Sequence, residues 1–197
     1  MWAFIEDGSI TKYYSGNRGI TLGSNQYPKA IFSLWTKSER EAIGIYEVVF
    51  DNTNKKDEAY YVNTNQSFAF ADGVVTASYG SATAKAHADT LFTSDDEDNG
   101  LGTEGEVKVE GLKTTRIRAV KSKAEDILKN TDWYIIRKAD AGTSVPSAIT
   151  NHRAAVRTKC AAMETAITNA SNTPAIETLY TRNADGVRPL GDLPEEV

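Results

Sequence analysis

Gln66-Ser67-Phe68-Ala69-Phe70-Ala71-Asp72-Gly73-Val74-Val75-Thr76-Ala77-Ser78-Tyr79 places apolar residues at every second position on either side of an Asp-Gly pair. Alternate side chains of a strand point to opposite faces. Asp-Gly tolerates the positive φ angles of a two-residue hairpin turn. The stretch therefore predicts two antiparallel strands, 66–71 and 74–79. Upstream, Ile45 to Phe50 is rich in β-branched and aromatic residues and predicts another strand. A polar turn over 51–57 separates it from Glu58 to Asn63, which carries Tyr60, Tyr61 and Val62. Nearer the start, Trp2 to Ile5 and Ile10 to Tyr14 flank a second Asp-Gly pair, Asp7-Gly8. Gly16, Gly19 and Gly23 punctuate the next segment around Ile20 and Leu22, and Tyr27-Pro28 opens a new one. Thr36 to Glu39 has capping-box spacing and Gly44 is a terminator, so one short helix belongs between them. Residues 1–92 thus predict a small antiparallel β-rich module with one short helix.

Downstream the pattern changes twice. Residues 80–92 are rich in alanine and threonine, a composition open to either a loose helix or an extended connector. Residues 93–110 hold seven acids against Lys108 alone, with Gly100, Gly102 and Gly105, the makeup of a connector. Beyond it the apolar period becomes helical. Val120, Ala124, Ile127, Leu128, Thr131 and Ile135 form one stripe, and Ile149, Val156, Cys160, Met163, Ile167 and Ala170 form another. Gly142 ends the first, and Pro146 suits the opening turn of the second. Two stripes on a short link predict an antiparallel helical hairpin over 111–181. A last short helix runs from Thr173-Pro174 to Tyr180. The proline-containing tail, 182–197, is expected to be irregular. The fold class read from the chain is α+β.

Composition narrows the function classes. With 197 residues, 40% hydrophobic and 25% charged, the chain is long enough to bury a core without staples. No run reaches the roughly 20 apolar residues of a membrane span, and Met1 to Asp7 lacks a basic leader, so neither a membrane nor a secreted protein is expected. Cys160 is the single cysteine, and His87 and His152 are the two histidines. That set excludes an intramolecular disulfide and a multi-cysteine zinc centre. The net charge of −5 argues against a dedicated nucleic-acid binder.

Each candidate site has a plain structural reading beside it. Residues 111–138 carry eight basic residues against three acids, enough to grip phosphates, but the adjacent acidic loop would compete for the same face and a solvated charged helix is the commoner arrangement, so no nucleic-acid partner is expected. Asp95, Glu97, Asn99, Gly100 and Glu106 partly match the spacing of a calcium loop, as an acid-rich stretch does by chance. Cys160 lies on the apolar stripe two helical turns from His152, which suits a core residue rather than a nucleophile. Tyr13-Tyr14 and Tyr60-Tyr61 each place adjacent rings on opposite faces of a strand, so one ring of each pair is expected to point away from the core. No phosphate loop or nucleophile elbow is present, and no cofactor or metal is expected.

Three segments carry a resemblance. Ile127-Leu128-Lys129-Asn130-Thr131-Asp132-Trp133-Tyr134-Ile135-Ile136-Arg137, then Val145-Pro146 and Ile149, then Arg153-Ala154-Ala155-Val156-Arg157 resemble the C-terminal module of bacteriophage tail-fibre assembly chaperones and related small tail proteins. His152 stands where that pattern has Tyr or Trp. Met1 to Glu6, and Tyr27-Pro28 through Gly44-Ile45-Tyr46, look like the N-terminal module of such proteins. The resemblance implies a non-catalytic protein that binds a tail-fibre subunit in the host cytoplasm during assembly. The alternative it leaves open is a permanent virion component: a fibre, adaptor or tail-tip protein attached to the tail or a host surface. A hydrolase of host surface sugars has no motif behind it. In physical terms the pattern reads as a hairpin lock. Thr131 or Asp132 would cap a helix break, Trp133 would supply buried surface, and Arg153 and Arg157 would pair with Asp132 or a partner's carboxylates. Asp132, Trp133, Arg137, Arg153 and Arg157 are the expected partner-binding residues. The stripe from Ile149 to Ala170 permits a homo-oligomer and equally fits one intramolecular groove.

Overall fold

The computed structural model describes residues 1–195 and is α+β. It divides into two units, Met1–Thr83 and the chain from Ala84 onward.

Local turn chemistry builds the first unit. Strands β1 (Trp2–Glu6) and β2 (Ser9–Tyr14) pair antiparallel across Asp7-Gly8, whose φ angles are +50° and +76°. Strands β3 (Ile20–Leu22) and β4 (Asn25–Tyr27) make a separate small hairpin. Two short helices follow, α1 (Ile31–Leu34) and α2 (Lys37–Ala42), where the sequence predicts one. Both halves of the Thr36/Glu39 capping box form at the start of α2. Then come β5 (Ile45–Asp51), β6 (Tyr61–Val62), β7 (Ser67–Ala71) and β8 (Val74–Ser78). Asp72 and Gly73 take φ angles of +51° and +75°, so the hairpin of β7 and β8 has the expected turn.

The main sheet runs β2-β1-β5-β8-β7, and β5 pairs parallel with β8 through Val48↔Val75. The expected antiparallel module is therefore a mixed sheet. Its cause is burial: Val75 and Ala77 are fully buried, whereas Phe68 and Phe70 are partly exposed. The hairpin inserts β8 beside β5 and leaves β7 at the edge. Tyr13 of β2 meets Phe68 of β7 with ring centroids 4.8 Å apart, so the sheet curls until its two edge strands approach. Both faces of β1 are covered. Ala3 packs with Val48, Val75 and Ala77, while Trp2 and Phe4 pack on the cluster of Ile20, Ile31, Phe32 and Ile45.

The second unit follows β9 (Thr83–Ala84), which spans the division, with β10 (Thr90–Leu91), α3 (Ser94–Asp98) and β11 (Val107–Val109). The boundary is thus earlier than the connector expected over 93–110, and that stretch is folded. Strands β10 and β11 pair antiparallel. The acids that suggest a linker serve local structure: Asp96 completes a capping box with Thr93 and binds Lys108 at 2.6 Å, and Glu97 accepts the Glu104 N–H.

Helix α4 (Leu112–Lys129) begins at Gly111, which has no side chain to cap it. The cap comes from earlier in the chain. Asp89 accepts the Gly111 N–H at 2.7 Å and the Thr114 hydroxyl at 2.8 Å, and the carbonyls of Ala86 and His87 accept the N–H groups of Leu112 and Lys113. These bonds satisfy helix-start donors that would otherwise be orphaned. They draw the segment so close that a Cβ on residue 111 would lie 2.3 Å from the Ala88 carbonyl oxygen, which is why glycine stands there.

Helices α5 (Asp132–Ala141), α6 (Ser147–Asn169) and α7 (Thr173–Tyr180) complete the unit. Lys113 at the start of α4 reaches the Thr168 carbonyl near the end of α6, and Arg153 near the start of α6 reaches Leu128 near the end of α4. The two long helices are therefore antiparallel, as the stripes predict. Their core joins Val120, Ala124 and Ile127 to Val156, Cys160, Met163 and Ile167. The tail has no helix or strand through residue 195, yet Leu190 and Leu193 are buried in that core. Residues 196–197 of the expected tail lie outside the described residues.

Candidate functional site

The Thr-Asp-Trp segment lies where α4 gives way to α5. The first stripe runs on through Ile135, whereas the Thr131-Asp132 pair reads as a helix break, and the break forms there: α4 stops at Lys129 and α5 starts at Asp132. Thr131 is buried at this break and its side chain makes no cap bond, contrary to the expected capping role. Its hydroxyl donates to the Leu128 carbonyl at 3.0 Å and accepts from Arg153 Nη1 at 2.6 Å. The same guanidinium donates to the Leu128 carbonyl at 2.7 Å and lies 2.8 Å from Asp132 Oδ1. Arg153 is 7% exposed, so burial removes it from the set of residues open to a partner. It ties α6 to the α4–α5 break, with Asp132 as its ion-pair partner.

Trp133 also departs from expectation. It is 49% exposed rather than buried, and α5 contains no buried residue. The break resets the helical phase, so Ile135 leaves the apolar stripe and faces outward together with Ile136, which is 67% exposed. Trp133 and Tyr134 stack with ring centroids 3.9 Å apart. The Arg137 guanidinium lies over both, 4.6 Å from the Trp133 ring and 5.4 Å from Tyr134. Its Nε is covered and has no hydrogen-bond partner, so ring stacking holds the side chain in place. Arg157, one turn beyond Arg153 on α6, is exposed and joins neither the lock nor the aromatic stack through a hydrogen bond or ion pair among the described residues.

The five expected residues therefore separate into two arrangements. Asp132 and Arg153 form an internal lock, Trp133 and Arg137 belong to an exposed aromatic–cation face, and Arg157 stands apart. Ile136, three residues from Trp133, lies on that side of α5, whereas Ile135, which the sequence places on the apolar stripe, is about 200° round the helix from Trp133; neither is among the expected partner-binding residues. The signal for them was the helix break itself, at Asn130-Thr131.

The remaining candidates take ordinary places. The calcium-like positions lie on and after α3, and among the described residues no group of three or more His, Cys, Asp or Glu side chains is placed to hold a metal ion. Cys160 is buried and donates weakly to Glu164 Oε1 at 3.4 Å. Burial, with Glu164 beside it, pushes the thiol pKa upward and away from a reactive thiolate. Tyr60 and Tyr61 are both buried, because Tyr60 sits in a turn before β6 rather than on a strand, while Tyr13 remains exposed. Among the described residues no helix is long and apolar enough to cross a membrane. Compared with known proteins, the chain matches no family model, no curated protein and no solved structure.

Proposed function

We propose that this protein is a non-catalytic binding protein of phage tail assembly that captures a tail-fibre subunit through the exposed face of α5. The observation that carries the binding role is a helix with no buried residue that displays Trp133 and Ile136 beside a stacked Arg137. Exposed scattered apolar residues are ordinary, but a Trp–Tyr–Arg cluster has the composition of an interface hot spot. A guanidinium already stacked on two rings also loses less conformational freedom when a partner docks. The assignment to tail assembly rests on the sequence resemblance. Within this proposal Arg153 and Asp132 support the face by fixing how α5 leaves α4, and the contacts come from Trp133, Ile136 and Arg137.

Affinity capture from infected cells, paired with mass spectrometry of purified particles, tests the proposal. Wild-type protein is expected to retain a fibre subunit and to be absent from finished particles. A Trp133→Ala/Ile136→Ser variant is expected to lose the subunit. Stoichiometric presence in particles would assign the protein to the permanent virion instead. Capture unaffected by the double variant would move the interface away from α5.

A further inference from the structure

The outer side of α5 carries one cation and one carboxylate that the chain itself leaves unmatched. Trp133, Ile136, Arg137 and Asp140 fall at i, i+3, i+4 and i+7, so they share one side of the helix. Among the described residues neither Arg137 nor Asp140 forms a hydrogen bond or an ion pair, with each other or with any other side chain. The other charges of α5 do not interfere. Asp132 is taken up by Arg153, and Lys138 stands two residues from both Ile136 and Asp140, which turns it away from them. Arg137 is also fixed in position. Its guanidinium lies over the Trp133 ring, one turn before its own backbone, while Asp140 is exposed.

We infer that this side of α5 pairs with the same side of α5 in a second copy of the chain, antiparallel about a two-fold axis near Ile136. A partner bearing only one sign of charge would satisfy either Arg137 or Asp140, whereas a second copy satisfies both. Spacing supports the same occupant. The guanidinium of Arg137, level with Trp133, lies about 4.5 Å along the helix from Ile136, and Asp140 lies about 6 Å from it on the other side. Two-fold rotation therefore sets each Asp140 opposite the guanidinium of the other copy. The two Ile136 side chains, each 67% exposed in the single chain, meet between the two ion pairs. A contact made by one ten-residue helix is small beside the interfaces of stable dimers, so the pairing is weak and reversible. Because it covers Trp133 and Ile136, it shields the capture face until a fibre subunit displaces the second copy, a consequence that rests on the proposed role of α5.

Sedimentation velocity of the full chain over a concentration series, with no fibre subunit present, is the test. Wild type is expected to show a reversible monomer–dimer equilibrium that added salt weakens. Asp140→Arg and Arg137→Asp are each expected to raise the dimer dissociation constant roughly tenfold, since each sets like charges opposite one another. An equimolar mixture of the two variants is expected to recover the dimer, because every carboxylate then faces a guanidinium of the other copy. Recovery in the mixture also shows that both variants are folded. A wild type that stays monomeric up to the solubility limit would overturn the inference. A dimer that survives either single substitution, or a mixture that remains monomeric, would do the same. Capture is read separately. A protein that dimerises but retains no fibre subunit keeps the pairing and loses only the capture role, and capture by a strictly monomeric protein does the reverse.

Discussion

At the scale of single residues, Arg153 joins three groups of the α4–α5 break. It is buried and satisfies a helix-end carbonyl, a hydroxyl and a carboxylate at once. Arg153→Ala would remove the ion-pair partner of Asp132 and free α5 from α6, while the Thr131 hydroxyl would keep its bond to the Leu128 carbonyl. The expected loss is about 2–3 kcal/mol, lower than for a fully buried pair because Asp132 is half exposed. Arg153→Lys is expected to recover less than half of it, since an ammonium cannot reproduce the planar fork across three acceptors. Chemical denaturation of both variants measures these differences. Asp89 gives a prediction in pH. The Gly111 N–H, then the Thr114 hydroxyl, with a smaller contribution from Arg118, hold its carboxyl below the ordinary value of 3.8. A lowered folded-state pKa means that its stabilisation is complete above the unfolded value and is lost as pH falls through the folded one. Wild type is therefore expected to unfold at higher temperature than Asp89→Asn at neutral pH. The gap should narrow as the pH drops below about 4. A gap that stays constant with pH would separate Asp89 from the ionic capping of α4.

At the scale of elements, the features legible in sequence are those whose partners are close along the chain. The two Asp-Gly hairpins and the Thr36/Glu39 box form from residues within a few positions of one another. The start of α4 was legible only as a change of period, because its cap is an aspartate 22 residues upstream. The acidic stretch was misleading for a related reason. Its composition is that of a linker, but Asp96 and Glu97 are engaged with Thr93, Lys108 and Glu104. Helix α5 is the clearest case. A stripe drawn through Ile135 assumes an unbroken helix, and one break at Asn130-Thr131 turns the stripe outward. Exposure of this face predicts that Trp133→Ala/Ile136→Ser changes the stability of the unbound chain by less than about 1 kcal/mol. Denaturation midpoints check this. A larger loss would show that the α5 side chains are packed, and the proposed interface would then lack its exposed surface.

At the scale of the whole molecule, the two units have separate apolar cores. One comprises the two clusters on either side of the curled sheet, and the other joins α4, α6 and the tail. Fragments 1–83 and 84–197 are each expected to give dispersed amide spectra and a single cooperative thermal transition. A fragment beginning at residue 93 is expected to be less stable than one beginning at 84, because it lacks the Ala86, His87 and Asp89 groups that close the start of α4. Circular dichroism melts compare the two directly. Equal stability would restore the boundary that the composition suggests.

The amino-acid sequence by itself determined the α+β class, the β7–β8 turn, the α2 cap and the antiparallel pairing of the long helices. Each follows from local dihedral preference or from two apolar stripes joined by a short link. Tertiary structure alone decided that β8 runs parallel to β5, that residues 93–110 are folded, and that Arg153 faces inward while Trp133 and Ile136 face outward. The physical reason is common to all three. Strand order, long-range capping and the burial of a charged side chain depend on which distant groups supply hydrogen bonds and exclude water. That information belongs to neighbours in space rather than to neighbours along the chain.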